Sequence, residues 1–277
     1  MGSAKPITGY LASSSSDGCR TAPSPATAPI QLGVVIPTLF EAANIPAVVE
    51  RAVRSLDPLG INYELIVVDD DSRDGTEFLV KKLAATGCRV RFLCRTGQRG
   101  LGSAVVHGWQ HSNAGVLGVM DADLQHPPEL LPDLWKAIEA GRDLALGSRY
   151  VQAGSLGQWH FLRHLLSRAA IGLTWPLQRP GIYVKDPMSG FFLVRRSCVQ
   201  DVVLQTRGFK LLLEILVRAH VNSVQEVPFT FGPRRAGTSK AGLTVGLDYL
   251  LMLARLWNQR RRDIASQPSS ALAPGSR

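Results

Sequence analysis

The sequence predicts an α/β fold in which helices cover both faces of a mostly parallel central sheet. Three observations predict it. Short apolar runs rich in valine and isoleucine alternate with segments of helical periodicity, the loops between them are short, and polar clusters directly follow the apolar runs. Unbroken apolar runs of this length are typical of parallel strands that are buried between two helical layers.

Strands and helices alternate along the first half of the chain. The first strand is predicted over 32–37 and the first helix over 45–55, where Pro46 suits a helix start. The series continues with a strand over 64–68, a helix over 76–85, a strand over 89–94, a helix over 102–112 and a strand over 115–120. Ligands of such sheets bind beyond the carboxyl ends of the strands, which is where the polar clusters fall.

Both ends of the chain have the composition of disordered segments. Residues 1–30 are rich in Ser, Ala, Pro and Thr, and residues 260–277 begin with three arginines and lack a periodic apolar pattern. The 277 residues therefore divide into these two tails, one globular domain over 31–240 and an amphipathic helix over 241–259. No secretory signal and no uncharged run of about 18 apolar residues is found, so no membrane span is predicted.

The chain is basic, with 31 Lys and Arg against 22 Asp and Glu and a formal net charge of +9. This charge indicates an anionic partner: nucleic acid, a phosphorylated substrate or an acidic lipid surface. The basic residues are scattered and form no helix-turn-helix, zinc or RNA-binding signature, so we expect no nucleic-acid partner. The four cysteines lack metal-ligand spacing, and we expect reduced thiols in a cytosolic protein.

Two carboxylates separated by one small residue, Asp121-Ala122-Asp123, follow the fourth predicted strand. Such a pair can share a hard divalent cation with the oxygens of a diphosphate, and Gln125 could offer a carbonyl oxygen to the same ion. Acidic loops before proline are also common as solvated turns or helix caps. The residues alone leave both interpretations open.

A second acidic cluster, 69–71, ends the second predicted strand. An acid at this place in a nucleotide-binding fold accepts hydrogen bonds from the base or ribose, and we predict this role for Asp70. The alternative role is to cap the next helix, which we assign to Asp74 or Thr76 rather than to Asp70.

Basic residues lie in polar breaks between the later apolar segments. They are Arg149 in Gly147–Tyr150, Lys210 after Gly208-Phe209, and Arg234, Arg235 and Lys240 in RRAGTSK. Small neighbours let backbone N–H groups approach a phosphate while the cations neutralise its charge. Each one alone is typical of a solvated surface cation, whereas their clustering favours phosphate binding.

Two amphipathic stretches, 161–177 and 243–257, are too short or too charged to span a membrane. Each can pack against the sheet or a partner subunit. Alternatively, each can lie on a membrane surface, which Trp257 and the arginines at 260–262 would favour.

Taken in order, these clusters resemble the family 2 glycosyltransferases of GT-A fold, and within them the dolichyl- and polyprenyl-phosphate mannosyltransferases. The resemblance runs from about residue 31 to residue 257. Its motifs are Val35–Thr38 with Glu41, Val67–Ser72 with Asp74–Thr76, Gly100–Ala104, Asp121–Pro128, Gly147–Tyr150, Ser189–Phe192, Gly208–Lys210 and Arg234–Lys240.

The resemblance implies a metal-dependent, inverting transfer of mannose from the nucleotide sugar GDP-mannose to dolichyl or polyprenyl phosphate. It implies nucleoside contacts for Pro37, Glu41, Val68 and Asp70. Asp121-Ala122-Asp123 with Gln125 would hold Mg²⁺ or Mn²⁺ and the diphosphate, and the phosphates would be handled by Arg149, Lys210, Arg234 and Lys240. Asp123, Arg149 and Lys240 would be the catalytic residues.

The resemblance also implies a peripheral protein on the cytoplasmic face of a membrane, which the 161–177 segment would contact. Whether a separate membrane-anchoring subunit holds the chain there stays open.

One departure concerns the loop after the first strand. The family usually has Tyr-Asn-Glu after Pro-Thr, whereas this chain has Leu39-Phe40-Glu41, so the aromatic that stacks on the base is missing or displaced to Phe40. A transferase that uses UDP-glucose, or one that extends a saccharide, is therefore the alternative within the class. A nicotinamide-dependent oxidoreductase would need G-x-G-x-x-G where this chain has PTLFE.

Overall fold

The computed structural model describes residues 29–150, 172, 174–178, 181–204, 210–230, 253–254 and 257. Its strands are β1 (Leu32–Thr38), β2 (Tyr63–Asp69), β3 (Val90–Cys94), β4 (Val116–Val119), β5 (Leu144–Ser148), β6 (Phe192–Arg195) and β7 (Val224–Pro228). Its helices are α1 (Ile45–Leu56), α2 (Thr76–Ala85), α3 (Leu101–Gln110), α4 (Leu131–Glu139), α5 (Arg196–Val199) and α6 (Leu211–Arg218). Short 3-10 turns cover Asp57–Leu59, Pro128–Leu130 and Trp175–Leu177.

The strands form one seven-stranded sheet in the order β3-β2-β1-β4-β6-β5-β7. β1 pairs in parallel with β2 and β4, β2 with β3, and β5 with β7. β6 runs antiparallel between β4 and β5. The predicted α/β fold with a mostly parallel sheet is thus confirmed.

All seven elements predicted over the first half are present, and none of their bounds is shifted by more than two residues. The fourth strand is shorter than expected, since it covers only Val116–Val119. The elements from α4 onward were not predicted. Residues 1–28, most of the 241–259 segment and residues 258–277 lie outside the described residues, so the predicted tails and C-terminal helix stay predictions.

Alternate strand residues face two apolar layers, because successive side chains point to opposite faces of a sheet. Val34, Ile36 and Val67 pack with buried side chains of α1 and α4 in one layer. Val35 and Val68 pack with α3 and α6 in the other layer. Helices therefore cover both faces, as predicted. Among the described helices, none has the length and apolar character needed to cross a bilayer.

Close contact between α3 and the sheet depends on Gly108. A Cβ atom at this position would lie 2.5 Å from Cγ2 of Val35 and 3.0 Å from Cγ2 of Val68. Both valines are fully buried in β1 and β2, so they have no free space into which to move.

We expect Gly108→Ala to destabilise the protein by about 1–3 kcal/mol through overpacking, although alanine is the better helix former. The free energy of unfolding from urea denaturation measures this. Gln110→Ala, on the same helix, is the control and should change stability little. Equal or higher stability of Gly108→Ala would show that α3 can shift away from the sheet.

Candidate functional site

Three loops, which follow β1, β2 and β4, lie at the carboxyl edge of the sheet. Each contains non-glycine residues in the left-handed backbone region: Phe40 at φ 60°, Asp71 at 56°, Arg73 at 53° and Leu124 at 61°. Bulky side chains rarely adopt this conformation, and residues that do so concentrate at functional sites. The backbone geometry therefore marks the edge to which the sequence assigned the polar clusters.

Asp69 connects the first two loops. Its buried carboxylate accepts a hydrogen bond from Thr38 Oγ1 at 2.9 Å and from the Ser72 backbone N–H at 2.7 Å. Ser72 Oγ in turn accepts a hydrogen bond from the Phe40 backbone N–H at 3.0 Å. The strained backbone conformation of Phe40 is thus held by a neighbouring loop, and the residue is 58% exposed.

Asp74 makes a second connection between the same loops. Its carboxylate accepts hydrogen bonds from the Ala42 backbone N–H at 3.0 Å, the Thr76 backbone N–H at 3.1 Å and Thr76 Oγ1 at 2.7 Å. Although burial opposes this, hydrogen bonds from Thr76 and Ala42 leave the pKa of Asp74 below its ordinary value. The N-cap position itself is occupied by Gly75, so the predicted cap at Asp74 or Thr76 is wrong by one residue. Asp74 supports the start of α2 from the residue before the observed N-cap.

Asp70 forms a buried ion pair with Arg95, the residue that follows β3. Arg95 Nε donates to Asp70 Oδ1 at 2.8 Å, and both side chains are at least 95% buried. Asp70 Oδ2 accepts from the Gly100 backbone N–H at 2.8 Å, while Arg95 Nη1 donates to Ser103 Oγ at 2.9 Å. Asp70 therefore fixes the loop that leads into α3, a role that the sequence did not suggest. Its nucleoside contact stays a prediction.

Asp121 and Asp123 lie just beyond β4. Asp123 Oδ1 accepts a hydrogen bond from the Gln125 backbone N–H at 3.1 Å, which orients this carboxylate. Gly190, which precedes β6, packs against the other carboxylate: a Cβ atom there would lie 2.8 Å from Asp121 Oδ2. The Asp121 side chain keeps 30% exposure, whereas that of Asp70 has 5%. Asp121 is thus the acid of the two that a ligand can reach.

His126 packs behind Asp121. Its Nδ1 atom lies 3.2 Å from Asp121 Oδ2, and its ring centroid lies 5.5 Å from that of Phe191 and 5.7 Å from that of Phe229. Burial lowers the pKa of His126, although the neighbouring carboxylates of Asp121 and Asp123 work in the opposite direction.

The donor atoms at this edge fit a magnesium or manganese ion rather than zinc. In the described part of the chain, no three His, Cys, Asp or Glu side chains form a group that could hold a metal. Magnesium is usually held by one or two carboxylates together with substrate phosphates, and does not need a complete protein cage. Asp121, Asp123 and Gln125 offer this kind of incomplete oxygen site.

Arg149 follows β5 and forms a bidentate ion pair with Asp186. Its Nε and Nη2 atoms each lie 2.8 Å from a different carboxylate oxygen, and the Asp186 side chain is fully buried. Glu226 on β7 accepts hydrogen bonds from the Lys185 and Asp186 backbone N–H groups at 2.9 and 3.1 Å. Burial opposes the charge of Arg149, but Asp186 leaves its pKa above the ordinary value. The guanidinium is therefore charged and fixed in direction.

Lys210 brings a second cation to this region from the residue that precedes α6. Burial and, next, the positive charge of Arg149 lower the pKa of Lys210, while Asp186 and Asp121 oppose this shift. The influence of these charges on Lys210 places it near Arg149, Asp186 and Asp121. The structure thus brings together three residues that the sequence could only list separately.

The other predicted site residues are distributed as follows. Pro37 and Val68 are register partners in β1 and β2. Glu41 accepts a hydrogen bond from Asn44 Nδ2 at 2.7 Å, just before α1. Ala122 is buried between the two carboxylates. Arg234 and Lys240 lie outside the described residues.

A cleft of about 480 Å³ opens beside α2 and β3, next to Asp69 and Asp74. Its lining includes Asp71, Arg73, Phe78, Phe92 and Cys94, but neither acid after β4 nor Arg149 or Lys210. Its size alone therefore gives no reason to move the candidate site there.

The model of Glycosyl transferase family 2 matches residues 33–203 of the chain. The chain belongs to this family. Curated relatives of this family 2 glycosyltransferase include the dolichol-phosphate mannosyltransferases of Pyrococcus furiosus, 43% identical over 82% of the chain and 64% of the relative, and of Saccharomyces cerevisiae, 35% identical over 82% and 87%. The polyprenol monophosphomannose synthase of Mycolicibacterium smegmatis is 38% identical over 75% and 79%. The chain thus spans less than two thirds of the length of the Pyrococcus furiosus relative.

Solved structures of other enzymes share the fold. Glucosyl-3-phosphoglycerate synthase of Mycobacterium tuberculosis superposes with a TM-score of 0.54 at 20% identity, over 89% of this chain and 85% of that one. Mannosyl-3-phosphoglycerate synthase of Rubrobacter xylanophilus does so with a TM-score of 0.54 at 17% identity, over 90% and 79%. These similarities confirm the predicted GT-A fold.

Sequence reasoning missed Arg95, His126 and Asp186 as parts of the site of this glycosyltransferase. His126 and Asp186 had a signal, since one lies in the Asp121–Pro128 motif and the other lies three residues before Ser189–Phe192. Arg95 had none, because its partner Asp70 is 25 residues away along the chain.

The buried pair of Asp70 and Arg95 can be tested by a double-mutant cycle in the free energy of unfolding. We expect Asp70→Asn and Arg95→Met each to cost about 3–5 kcal/mol, because each leaves one buried polar group without its partner. The double variant should lose clearly less than the sum of the two. Additive losses would show that the two side chains do not stabilise each other.

Proposed function

We propose that this family 2 glycosyltransferase transfers mannose from GDP-mannose to the phosphate of dolichyl or polyprenyl phosphate, with inversion and with the help of Mg²⁺ or Mn²⁺. The observation that carries the proposal is the grouping of Asp121 and Asp123 with two cations, Arg149 and Lys210, at one edge of the sheet. The names of the relatives, dolichol-phosphate mannosyltransferase and polyprenol monophosphomannose synthase, support the choice of sugar and acceptor.

Asp121, Asp123 and Gln125 would hold the divalent ion. When bound, the ion would offset the negative charge that develops on the departing diphosphate. The two carboxylates are oriented separately before any ligand arrives, Asp123 by the Gln125 backbone and Asp121 by its contacts with His126 and Gly190. A site that is oriented in advance loses less entropy when the ion and the nucleotide bind.

Arg149 and Lys210 would neutralise phosphate groups of donor and acceptor. The bidentate contact with Asp186 keeps the guanidinium of Arg149 in one direction, and a fixed planar cation suits the recognition of a phosphate. Arg234 and Lys240 would complete this group, with Lys240 as a catalytic residue beside Asp123 and Arg149.

A phosphate acceptor explains why no strong general base is needed. The second pKa of a phosphate monoester is near ~6, so the acceptor is already an anionic nucleophile at neutral pH. The acceptor oxygen would attack the anomeric carbon on the side opposite the diphosphate, which inverts that centre in a single displacement. The protein would act by holding the two reactants in line and by neutralising charge.

The nucleoside would lie at the ends of β1 and β2, in contact with Pro37, Glu41, Val68 and Asp70. Phe40 supports this placement, because it lies in the loop after β1, its backbone is held in the left-handed region and its side chain is exposed. The ring can supply the stacking surface that the family usually takes from the preceding tyrosine.

A lipid acceptor requires the protein to work at a membrane surface. We place it on the cytoplasmic face as a peripheral protein, which the segments at 161–177 and 241–259 would contact and which a separate anchoring subunit could hold. The basic charge of the chain suits an anionic lipid surface.

The function is tested by incubating the full chain with polyprenyl phosphate, Mn²⁺ and either GDP-mannose or UDP-glucose. We expect a mannosyl polyprenyl phosphate from GDP-mannose and no glucosyl product. Consumption of UDP-glucose alone would replace the donor, and transfer of mannose to a saccharide hydroxyl would replace the acceptor. Mass spectrometry of the extracted products shows which sugar was transferred and to which acceptor, and so distinguishes these results.

Removal of one proposed ligand tests the metal site. We expect Asp123→Asn to lower the rate of transfer by about 100-fold or more, because several kcal/mol of charge stabilisation depend on the ion. Asp133→Asn is the matched control, since Asp133 lies exposed on α4 and, within the described part of the chain, pairs with a lysine on the same helix, Lys136. Substantial transfer by Asp123→Asn at saturating Mn²⁺ would contradict the assignment.

A further inference from the structure

We propose that His126 is a positioning residue that orients the carboxylate of Asp121 toward the divalent ion. This inference rests on the function proposed above. It assigns a role to a buried imidazole that neither the transfer step nor the phosphate-binding cations require.

The imidazole is held in place from two sides. The ring of His126 is 5% exposed and packs against Phe191, just before β6, and Phe229, just after β7. Both phenyl rings belong to the apolar layer that covers the sheet. A ring that is enclosed in this way cannot easily turn, because its neighbours are themselves close-packed.

The ring of His126 and the backbone of Gly190 lie on two sides of the same oxygen of Asp121. His126 Nδ1 lies 3.2 Å from Asp121 Oδ2, so the ring nitrogen faces this carboxylate oxygen at contact distance. On another side, Gly190 leaves no space beside that oxygen, since an added Cβ would come within 2.8 Å of it. The contacts restrict the carboxylate to a narrow range of orientations.

The two acids of the proposed metal site are thus oriented by different means. Asp123 accepts a backbone N–H from Gln125, whereas Asp121 faces the side chain of His126. Two carboxylates two residues apart repel each other, so each needs its own restraint to point toward one ion. Hydrogen-bond donors behind metal-binding groups commonly serve this purpose, and their loss costs metal affinity.

Three substitutions separate positioning from packing. His126→Asn keeps an amide nitrogen at the place of Nδ1, since both atoms are the same number of bonds from Cβ. His126→Gln moves the amide toward the place of the distal ring nitrogen, and His126→Leu keeps apolar volume without a donor. If His126 only fills space between the two phenylalanines, the leucine variant should be the best tolerated of the three.

The readout is Mn²⁺ binding by the purified full chain, measured by electron paramagnetic resonance of free Mn²⁺ in the presence of GDP and, separately, of UDP. We expect His126→Leu and His126→Gln to bind Mn²⁺ about 10-fold or more weakly than the wild type, and His126→Asn to stay close to the wild type. Thermal unfolding of each variant is recorded alongside.

Val48→Ala provides the control for stability. Val48 is fully buried in α1 and distant in sequence from the metal site, so its truncation should lower the melting temperature and leave Mn²⁺ binding unchanged. Wild-type affinity in His126→Leu, or equal losses in the Asn and Leu variants, would overturn the positioning role and leave the proposed function standing. Failure of the wild type itself to bind Mn²⁺ with either nucleotide would overturn both.

Discussion

Parallel pairing of β1 with β2 on one side and with β4 on the other places three strand ends at one edge of the sheet. Since each of these strands is followed by a polar loop, the pairing alone brings residues from positions 38–41, 69–74 and 121–126 together. The register matters as much as the direction: Thr38 lies opposite Asp69, which lets the hydroxyl of one meet the carboxylate of the other. The candidate site therefore depends on strand pairing before it depends on any catalytic side chain.

The same strand pairing brings several carboxylates close together at that edge, and their negative charges are stabilised by different partners. Asp69 is satisfied by hydroxyl and backbone donors, Asp70 by Arg95, and Asp186 by Arg149. These three are buried and serve to fix loops or to orient a cation. Asp121 keeps 30% of its side chain exposed, far more than these three acids, so it can meet a ligand where they cannot. Specific pairing, rather than the number of acids, distinguishes the candidate metal site.

The sequence predicted the first half of the sheet well because its strands are continuous apolar runs and its helices are periodic. It did not predict β5 and β7, because LALGS is short and rich in small residues, and VQEVP at the sheet edge is partly exposed and interrupted by Gln225 and Glu226. The carboxylate pair and the cations Arg149 and Lys210 were named from residue type and spacing. Arg95, the partner of Asp70, and Asp186, the partner of Arg149, were not, because contacts across 25 and 37 residues have no signature in a single chain. The roles of Arg234 and Lys240 stay predictions.

The direction of β6 explains how the second half of the chain reaches the site. In a parallel strand the residues before it would lie at the opposite edge, but β6 runs antiparallel between β4 and β5. Its preceding residues, Asp186 to Phe191, therefore meet the loops that follow β4 and β5. This reversal delivers Asp186 to Arg149, the backbone of Gly190 to Asp121, and the ring of Phe191 to His126. Any side chain at position 190 would displace the carboxylate, so the strand reversal and the glycine are needed together.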